Sequence, residues 1–207
     1  MHLNILGSMG VGKSTICSAI IKETGFKLIK EQFLDNPYWA DSLSGKNPQF
    51  YKMQIEFMTQ YITNLTYLKE NPYEDIILDA QFVSGLAFST VQAELGLIDE
   101  VDYQSYKKRF IALSRLMASD LRKVEHVLLI DSPENVHQRV ISREREEEKT
   151  TTREQVELIC SKFVELPNIM KMICGLEIKV IDVEGLKEGQ IPIEIKNILK
   201  REIDTVK

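Results

Sequence analysis

The stretch Gly7-Ser8-Met9-Gly10-Val11-Gly12-Lys13-Ser14 decides how this chain is read. It fits the spacing G-x-x-x-x-G-K-[ST], follows the apolar run Leu3–Leu6, and leads into a helical pattern from Lys13 to Thr24. The glycines let the backbone around Val11 curl so that successive N–H groups point into one cavity of phosphate size. A helix opening at Lys13 adds a partial positive charge of about half an elementary unit there. Lys13 is placed to reach the β- and γ-phosphates of a nucleoside triphosphate. The hydroxyl of Ser14, with Thr15 beside it, is placed to meet Mg²⁺. A plain glycine-rich turn has no reason to end in Lys-Ser. The loop therefore predicts binding of a nucleoside triphosphate, ATP acting as phosphate donor, with Gly7, Gly10, Val11, Gly12, Lys13, Ser14 and Thr15 around it.

Outward from this loop, apolar runs of strand length alternate with helical patterns, which predicts a parallel sheet with helices on both faces. Strands are expected at Leu3–Leu6, Lys27–Lys30, Asp75–Asp79, His126–Asp131 and Leu176–Ile181. Helices are expected at Lys13–Thr24, Phe50–Leu68, Phe82–Leu95 and Val101–Leu121. Ser132 followed by Pro133 marks another helix start, Thr152-Arg-Glu-Gln155 resembles a capping box for a helix to about Cys174, and Pro192–Glu202 closes the chain. The fold class is α/β, a P-loop NTPase fold with about five parallel strands. With 207 residues and no linker-like tract, one domain over 1–207 is expected.

Bulk properties narrow the partners. A net charge of −5 argues against nucleic acid or a membrane surface as partner. Cys17, Cys160 and Cys174 have no metal-ligand spacing and are an odd number for disulfides, so a reducing cytoplasm is expected. MHLNILGSMG begins in a strand-like run with no signal-peptide pattern, and no stretch approaches the roughly 20 apolar residues of a membrane span. The GTPase motif N-K-x-D is absent, and the chain is too short for an AAA-type module.

Candidate chemistry follows the loop. Glu31 lies just beyond the second strand, at the carboxyl edge where α/β folds place ligands, and a carboxylate there can take a proton from an attacking hydroxyl. A solvated loop residue is the alternative. Gln54 shares a helical stripe with Met58, Tyr61 and Leu65, so its amide is expected to face inward and can read a base edge or bond neighbouring backbone. Arg139 and Arg143 share a helix face, while Arg145 projects elsewhere unless the helix ends. Such cations can neutralise a transferring phosphoryl group. A salt-bridged surface helix with Glu144 and 146–148 is the bland reading.

Taken together, Glu31-Gln-Phe-Leu-Asp-Asn36-Pro37-Tyr38, Gln54 opening Q-I-E-F-M, Asp79 at a strand end, and Ser132-Pro-Glu followed by Arg139, Arg143, Arg145 and Glu148 resemble the deoxynucleoside kinases. The resemblance is to the small bacterial deoxyadenosine/deoxyguanosine kinase type in particular, from Leu3 to about Leu166. It implies that Glu31 is the general base for the sugar 5′-hydroxyl and that Gln54 hydrogen-bonds the base. It further implies that Asp79 helps Ser14 hold Mg²⁺, that Arg139, Arg143 and Arg145 form a lid over the phosphates, and that Glu148 reaches the sugar. A small nucleoside-type acceptor and a homodimer are implied as well. A kinase for nucleoside monophosphates or another small metabolite, or a nucleotide-binding regulatory protein without turnover, are the competing functions.

The acceptor half departs from the pattern. Asp79-Ala80-Gln81 stands where the family has Asp/Glu-Arg-Ser; Tyr61 replaces an arginine, Gly85 its acidic partner and Leu43 a sugar-contacting tyrosine. Loss of a cation beside the reacting oxygens predicts slow or absent turnover on ordinary deoxynucleosides. Ala80→Arg combined with Gln81→Ser is expected to raise it. Steady-state phosphorylation of deoxyadenosine, deoxyguanosine, deoxycytidine and thymidine by wild type and variant is the measurement, and brisk wild-type turnover on any of the four contradicts the expectation.

Overall fold

Strand β1 (His2–Leu6) runs up the middle of a sheet whose strands are all parallel, in the order β2-β3-β1-β4-β5. The partners are β2 (Lys27–Ile29), β3 (Ile76–Asp79), β4 (Glu125–Ile130) and β5 (Lys179–Asp182). The computed structural model describes residues 1–205 except 46, 80, 81, 146, 147, 149, 150 and 188, with side chains as far as Lys200. Ala80 and Gln81, the departure noted above, lie outside the described residues.

The pleat sends alternate side chains to opposite faces. Leu3 and Ile5, Ile77, and Val127 and Leu129 pack on one side against α1 (Lys13–Thr24), α7 (Pro133–Ser142) and α9 (Ile193–Thr205). Leu6, Ile76, Leu78 and Leu128 pack on the other side, against α3 (Phe50–Glu70), α4 (Ser84–Glu94), α5 (Glu100–Leu116) and α8 (Arg153–Cys174). Both faces are covered, which is why the strands read as continuous apolar runs. The expected fold, five parallel strands between two helical layers, is the one observed.

Local signals account for several helix starts. Ser132 accepts from the Asn135 N–H with Pro133 at the first turn of α7, and Thr152 and Gln155 form a reciprocal capping box on α8. Asp99 caps α5 by accepting from the Asp102 N–H at 2.9 Å. Other boundaries moved. The helix expected over Val101–Leu121 breaks at Met117, after which the short α6 (Ala118–Leu121) turns Leu121 into the core. The last strand begins at Lys179, since Leu176 and Ile178 bury their side chains before pairing with β4 begins. A short helix α2 (Trp39–Leu43) and a single 3₁₀ turn (Phe33–Asp35) fill the stretch between β2 and α3.

The glycine loop is wedged into this frame. Gly10 has φ +78°, and a Cβ there would lie 2.8 Å from both the Val136 carbonyl oxygen and Val140 Cγ2. Gly10→Ala therefore combines left-handed strain with a clash against α7, and is expected to cost about 1–3 kcal/mol, near 2–4 °C in Tm per kcal/mol for a chain of this size. A thermal melt alongside an ATP-analogue titration checks it; unchanged stability and affinity contradict it.

Candidate active site

The ends of β1, β2 and β3 deliver the site. Parallel pairing sets Ile5 opposite Asp79, so the carboxylate at the tip of β3 comes up beside the loop that leaves β1. The Ser14 hydroxyl donates to Asp79 Oδ2 at 2.8 Å. Lys13 folds back over its own loop, its ammonium donating to the carbonyl oxygens of Gly7 and Ser8, both at 2.9 Å. Burial lowers the pKa of Lys13, and the nearby Asp79 and Glu31 carboxylates oppose that shift.

Glu31 follows β2 and is half-buried. The hydroxyl of Tyr61, from α3, donates to Glu31 Oε1. Burial pushes the Glu31 pKa up to about 7; the Tyr61 hydrogen bond and the Lys13 ammonium pull it down, and the Asp79 charge raises it. A carboxylate poised near neutral pH and held by a donor is suited to proton abstraction.

The arginines divide. Helix α7 ends at Ser142, and Glu144 takes φ 51°, turning the chain so that Arg143 and Arg145 both reach Glu148. The distances are 3.3 Å from Arg143 Nη2 to Glu148 Oε2 and 3.4 Å from Arg145 Nη1 to Glu148 Oε1. Glu148 is 6% exposed. The guanidinium of Arg145 also sits 5.9 Å from the Phe33 ring centroid. Arg139 takes a different partner: it pairs with Asp131, whose side chain is fully buried, and its Nη1 donates to the Gly10 carbonyl at 3.3 Å. The pair expected from helical spacing, Arg139 with Arg143, is thus replaced by Arg143 with Arg145, because the helix stops between them.

These groups line one cleft of about 1200 Å³. That exceeds the roughly 300–1,000 Å³ of a pocket for one small ligand, and leaves room for two substrates at once. Its lining includes Gln54, Phe57, Tyr61, Trp39 and Gln92 from α2, α3 and α4, and Val183, Leu186, Lys187 and Gln190 from the stretch after β5, at the sheet edge opposite β2. The aromatic wall is continuous, with Trp39 5.3 Å from Phe33 and 5.8 Å from Phe57, and Phe57 stacked on Tyr61 at 6.1 Å.

The sequence profile of the family described as "Deoxynucleoside kinase" matches residues 3–205. The chain belongs to the deoxynucleoside kinase family. It is a nucleoside kinase, and ATP use is implied by that membership. It is similar to the deoxyadenosine kinase of Dictyostelium discoideum, 26% identical over 212 residues that cover 100% of this chain and 80% of that protein. The deoxyadenosine/deoxycytidine kinase of Bacillus subtilis (strain 168) is 25% identical over 171 residues, covering 78% of this chain and 74% of that one. Among solved structures, the deoxyadenosine kinase from M. mycoides with bound dATP superposes with a TM-score of 0.76 at 25% identity, covering 97% of this chain and 98% of that one.

Within this deoxynucleoside kinase chain, Gly7, Gly10, Val11, Gly12, Lys13, Ser14, Glu31, Gln54, Asp79, Arg139, Arg143, Arg145 and Glu148 all stand at or beside the cleft. Gln54 faces inward as its stripe predicts, and is 3% exposed. Its partner is not backbone: Gln54 Nε2 donates to Gln92 Oε1 at 3.0 Å. Gln92, Trp39 and the segment carrying Lys187 and Gln190 went unnoticed in the sequence, as did the bond from Tyr61 to Glu31. None belongs to a short-range motif; each is delivered by packing of distant elements. Tyr61→Phe removes a bond that favours the Glu31 carboxylate, so its pKa rises further. The acid limb of the pH–rate profile is expected to move to higher pH, which rate measurements from pH 5 to 9 check; an unmoved limb contradicts the assignment.

Proposed function

We propose that this kinase transfers the γ-phosphoryl group of ATP to the 5′-hydroxyl of a nucleoside or deoxynucleoside, with Glu31 as general base. The observation that carries the reading is Glu31 itself: half-buried, held by Tyr61, poised near pH 7 and close enough to Lys13 and Asp79 to feel their charges.

In this reading the triphosphate lies along the loop from Gly7 to Thr15, drawing the Lys13 ammonium off the Gly7 and Ser8 carbonyls onto phosphate oxygens. Its base extends toward Val183, Leu186 and Gln190, the cleft end beyond Gly10. The acceptor's base lies against the Trp39–Phe57 wall within reach of Gln54, which points its sugar toward Glu31. Glu31 takes the hydroxyl proton as the oxygen attacks phosphorus, and Arg143 and Arg145 exchange Glu148 for phosphoryl oxygens. Glu148, so released, accepts from the sugar hydroxyl. Arg139 keeps Gly10 in place and lends charge at the phosphate end.

The donor set fits Mg²⁺. The Ser14 hydroxyl and Asp79 carboxylate are hard oxygen donors 2.8 Å apart at the phosphate seat. No cluster of three acidic, histidine or cysteine residues able to hold a metal occurs among the described residues. One carboxylate and one hydroxyl, completed by phosphates and water, is the usual way Mg²⁺ is held in such enzymes. When bound, the ion neutralises charge that develops on the phosphates. A homodimer and a cytoplasmic location belong to the same reading. No described helix is long and apolar enough to cross a membrane.

Glu31→Gln tests it from two sides. Loss of the base is expected to lower kcat by on the order of 10²–10⁴ while ATP affinity barely changes. Stability moves the other way. A carboxyl whose pKa is raised on folding stabilises fully below its unfolded value near 4.5, and that contribution is lost as pH rises through about 7. At pH 8 the neutral amide is therefore expected to be the more stable form by on the order of 1–3 kcal/mol, an advantage that vanishes at low pH. Kinetics and melting curves at pH 5 and 8 decide; near-full kcat in the variant overturns the assignment.

A further inference from the structure

The Gln54–Gln92 contact joins two side-chain amides from different helices, and its symmetry has a chemical consequence. Gln54 lies near the start of α3 and Gln92 in the last turn of α4; both line the acceptor end of the cleft. Gln54 is 3% exposed and Gln92 half-buried. The bond runs from Gln54 Nε2 to Gln92 Oε1 at 3.0 Å, and the main-chain oxygen of Gln92 is already engaged by the Leu97 and Ile98 N–H groups.

An amide has an oxygen end that accepts and a nitrogen end that donates, and the two ends have nearly the same shape. A carboxylate or carbonyl partner would hold Gln54 one way round, because such partners only accept. A second amide does not. If both side chains turn over together, Gln92 Nε2 donates to Gln54 Oε1, and one N–H···O bond between amides replaces another of the same kind. The pair therefore has two registers of similar energy. In one, Gln54 offers the cleft its oxygen where, in the other, it offers its nitrogen.

Nucleobases divide along the same line. Adenine and cytosine carry an amino donor next to a ring-nitrogen acceptor on the pairing edge; guanine and thymine carry a carbonyl acceptor next to a ring N–H donor. Reversing the amide converts complementarity for one class into complementarity for the other. We propose that Gln92 is a specificity-determining residue that acts through Gln54, leaving the pocket open to both amino and keto bases. The inference rests on the reading above that Gln54 faces the acceptor's base.

The pocket wall supports this. Gly85 stands beside Gln54: a Cβ at Gly85 would be 3.9 Å from Gln54 Oε1, 3.8 Å from Tyr61 Cε2 and 2.6 Å from the Tyr106 hydroxyl. A side chain at Gly85 has no room, and Glu94, the charged residue of α4, pairs with Lys162 at 2.7 Å. The aromatic wall offers stacking, which every base satisfies.

The experiment measures kcat/KM at pH 8 for deoxyadenosine, deoxycytidine, deoxyguanosine and thymidine. Wild type is expected to keep the better amino-base and better keto-base substrates within about tenfold of each other. Gln92→Glu, a pure acceptor when ionised, pins Gln54 in the register with Nε2 toward position 92 and is expected to shift the amino-to-keto ratio by tenfold or more. Gln92→Met removes the partner without imposing a register, so it is expected to lower both classes by a similar factor. Melting curves and KM for ATP report whether the variants remain folded and competent for the donor. An unchanged ratio in folded Gln92→Glu, or a wild-type preference above a hundredfold for one class, overturns the inference. Gln54→Leu separates this from failure of the underlying reading: if it leaves acceptor kinetics untouched, Gln54 does not face the base at all.

Discussion

The pairing of β1 with β3 is the constraint from which the site follows. Its register sets Ile5 against Asp79 and thereby brings a carboxylate within 2.8 Å of the first hydroxyl of α1. A slip of one residue would displace Asp79 by about 3.3 Å and turn its side chain to the other face of the sheet. The alternate burial of Ile76, Ile77 and Leu78 into two different cores holds the register in place, since a slip would exchange both. Lys13 belongs to the same frame, because residues 7–12 join the end of β1 directly to the start of α1. The geometry of the candidate site is here a by-product of core packing.

Charge in the cleft is arranged as internal pairs. Arg139 faces Asp131, Arg143 and Arg145 share Glu148, and Ser14 and Asp79 face each other. Each arginine is about a third or more exposed while its carboxylate is buried, so an arriving polyanion competes for the guanidinium where the carboxylate gains another partner. A triphosphate is such an anion. The pairing offsets the charge of the three arginines, which stay close to where phosphate oxygens are expected.

Much of this was legible in the sequence because it is local. The loop from Gly7 to Ser14, the caps at Ser132 and Thr152, the strand at Asp79 and the inward face of Gln54 each depend on residues within a few positions of one another. The break at Met117, the late start of β5 and the helix α2 depend on what the core accepts from distant segments, and no nearby residue announces them. In the site, Glu31 could be named from its place after a strand, but its link to Tyr61 spans thirty residues. The division of the arginines was hidden for a different reason. Helical spacing assumes a helix, and α7 stops at Ser142, between the residues being paired.

Gly10 has a neighbour whose significance is easily overlooked. Val140 touches no nucleotide in the proposed mode and sits on α7 with 1% of its surface exposed, yet its Cγ2 atom occupies the space a Cβ on Gly10 would need. The phosphate loop and the apolar face of α7 are therefore fitted to each other at van der Waals distance. A larger side chain at position 140 would press on the loop at Gly10. In a set of diverging sequences, the freedom of this interior valine to vary would be limited by phosphate binding as much as by the core that contains it.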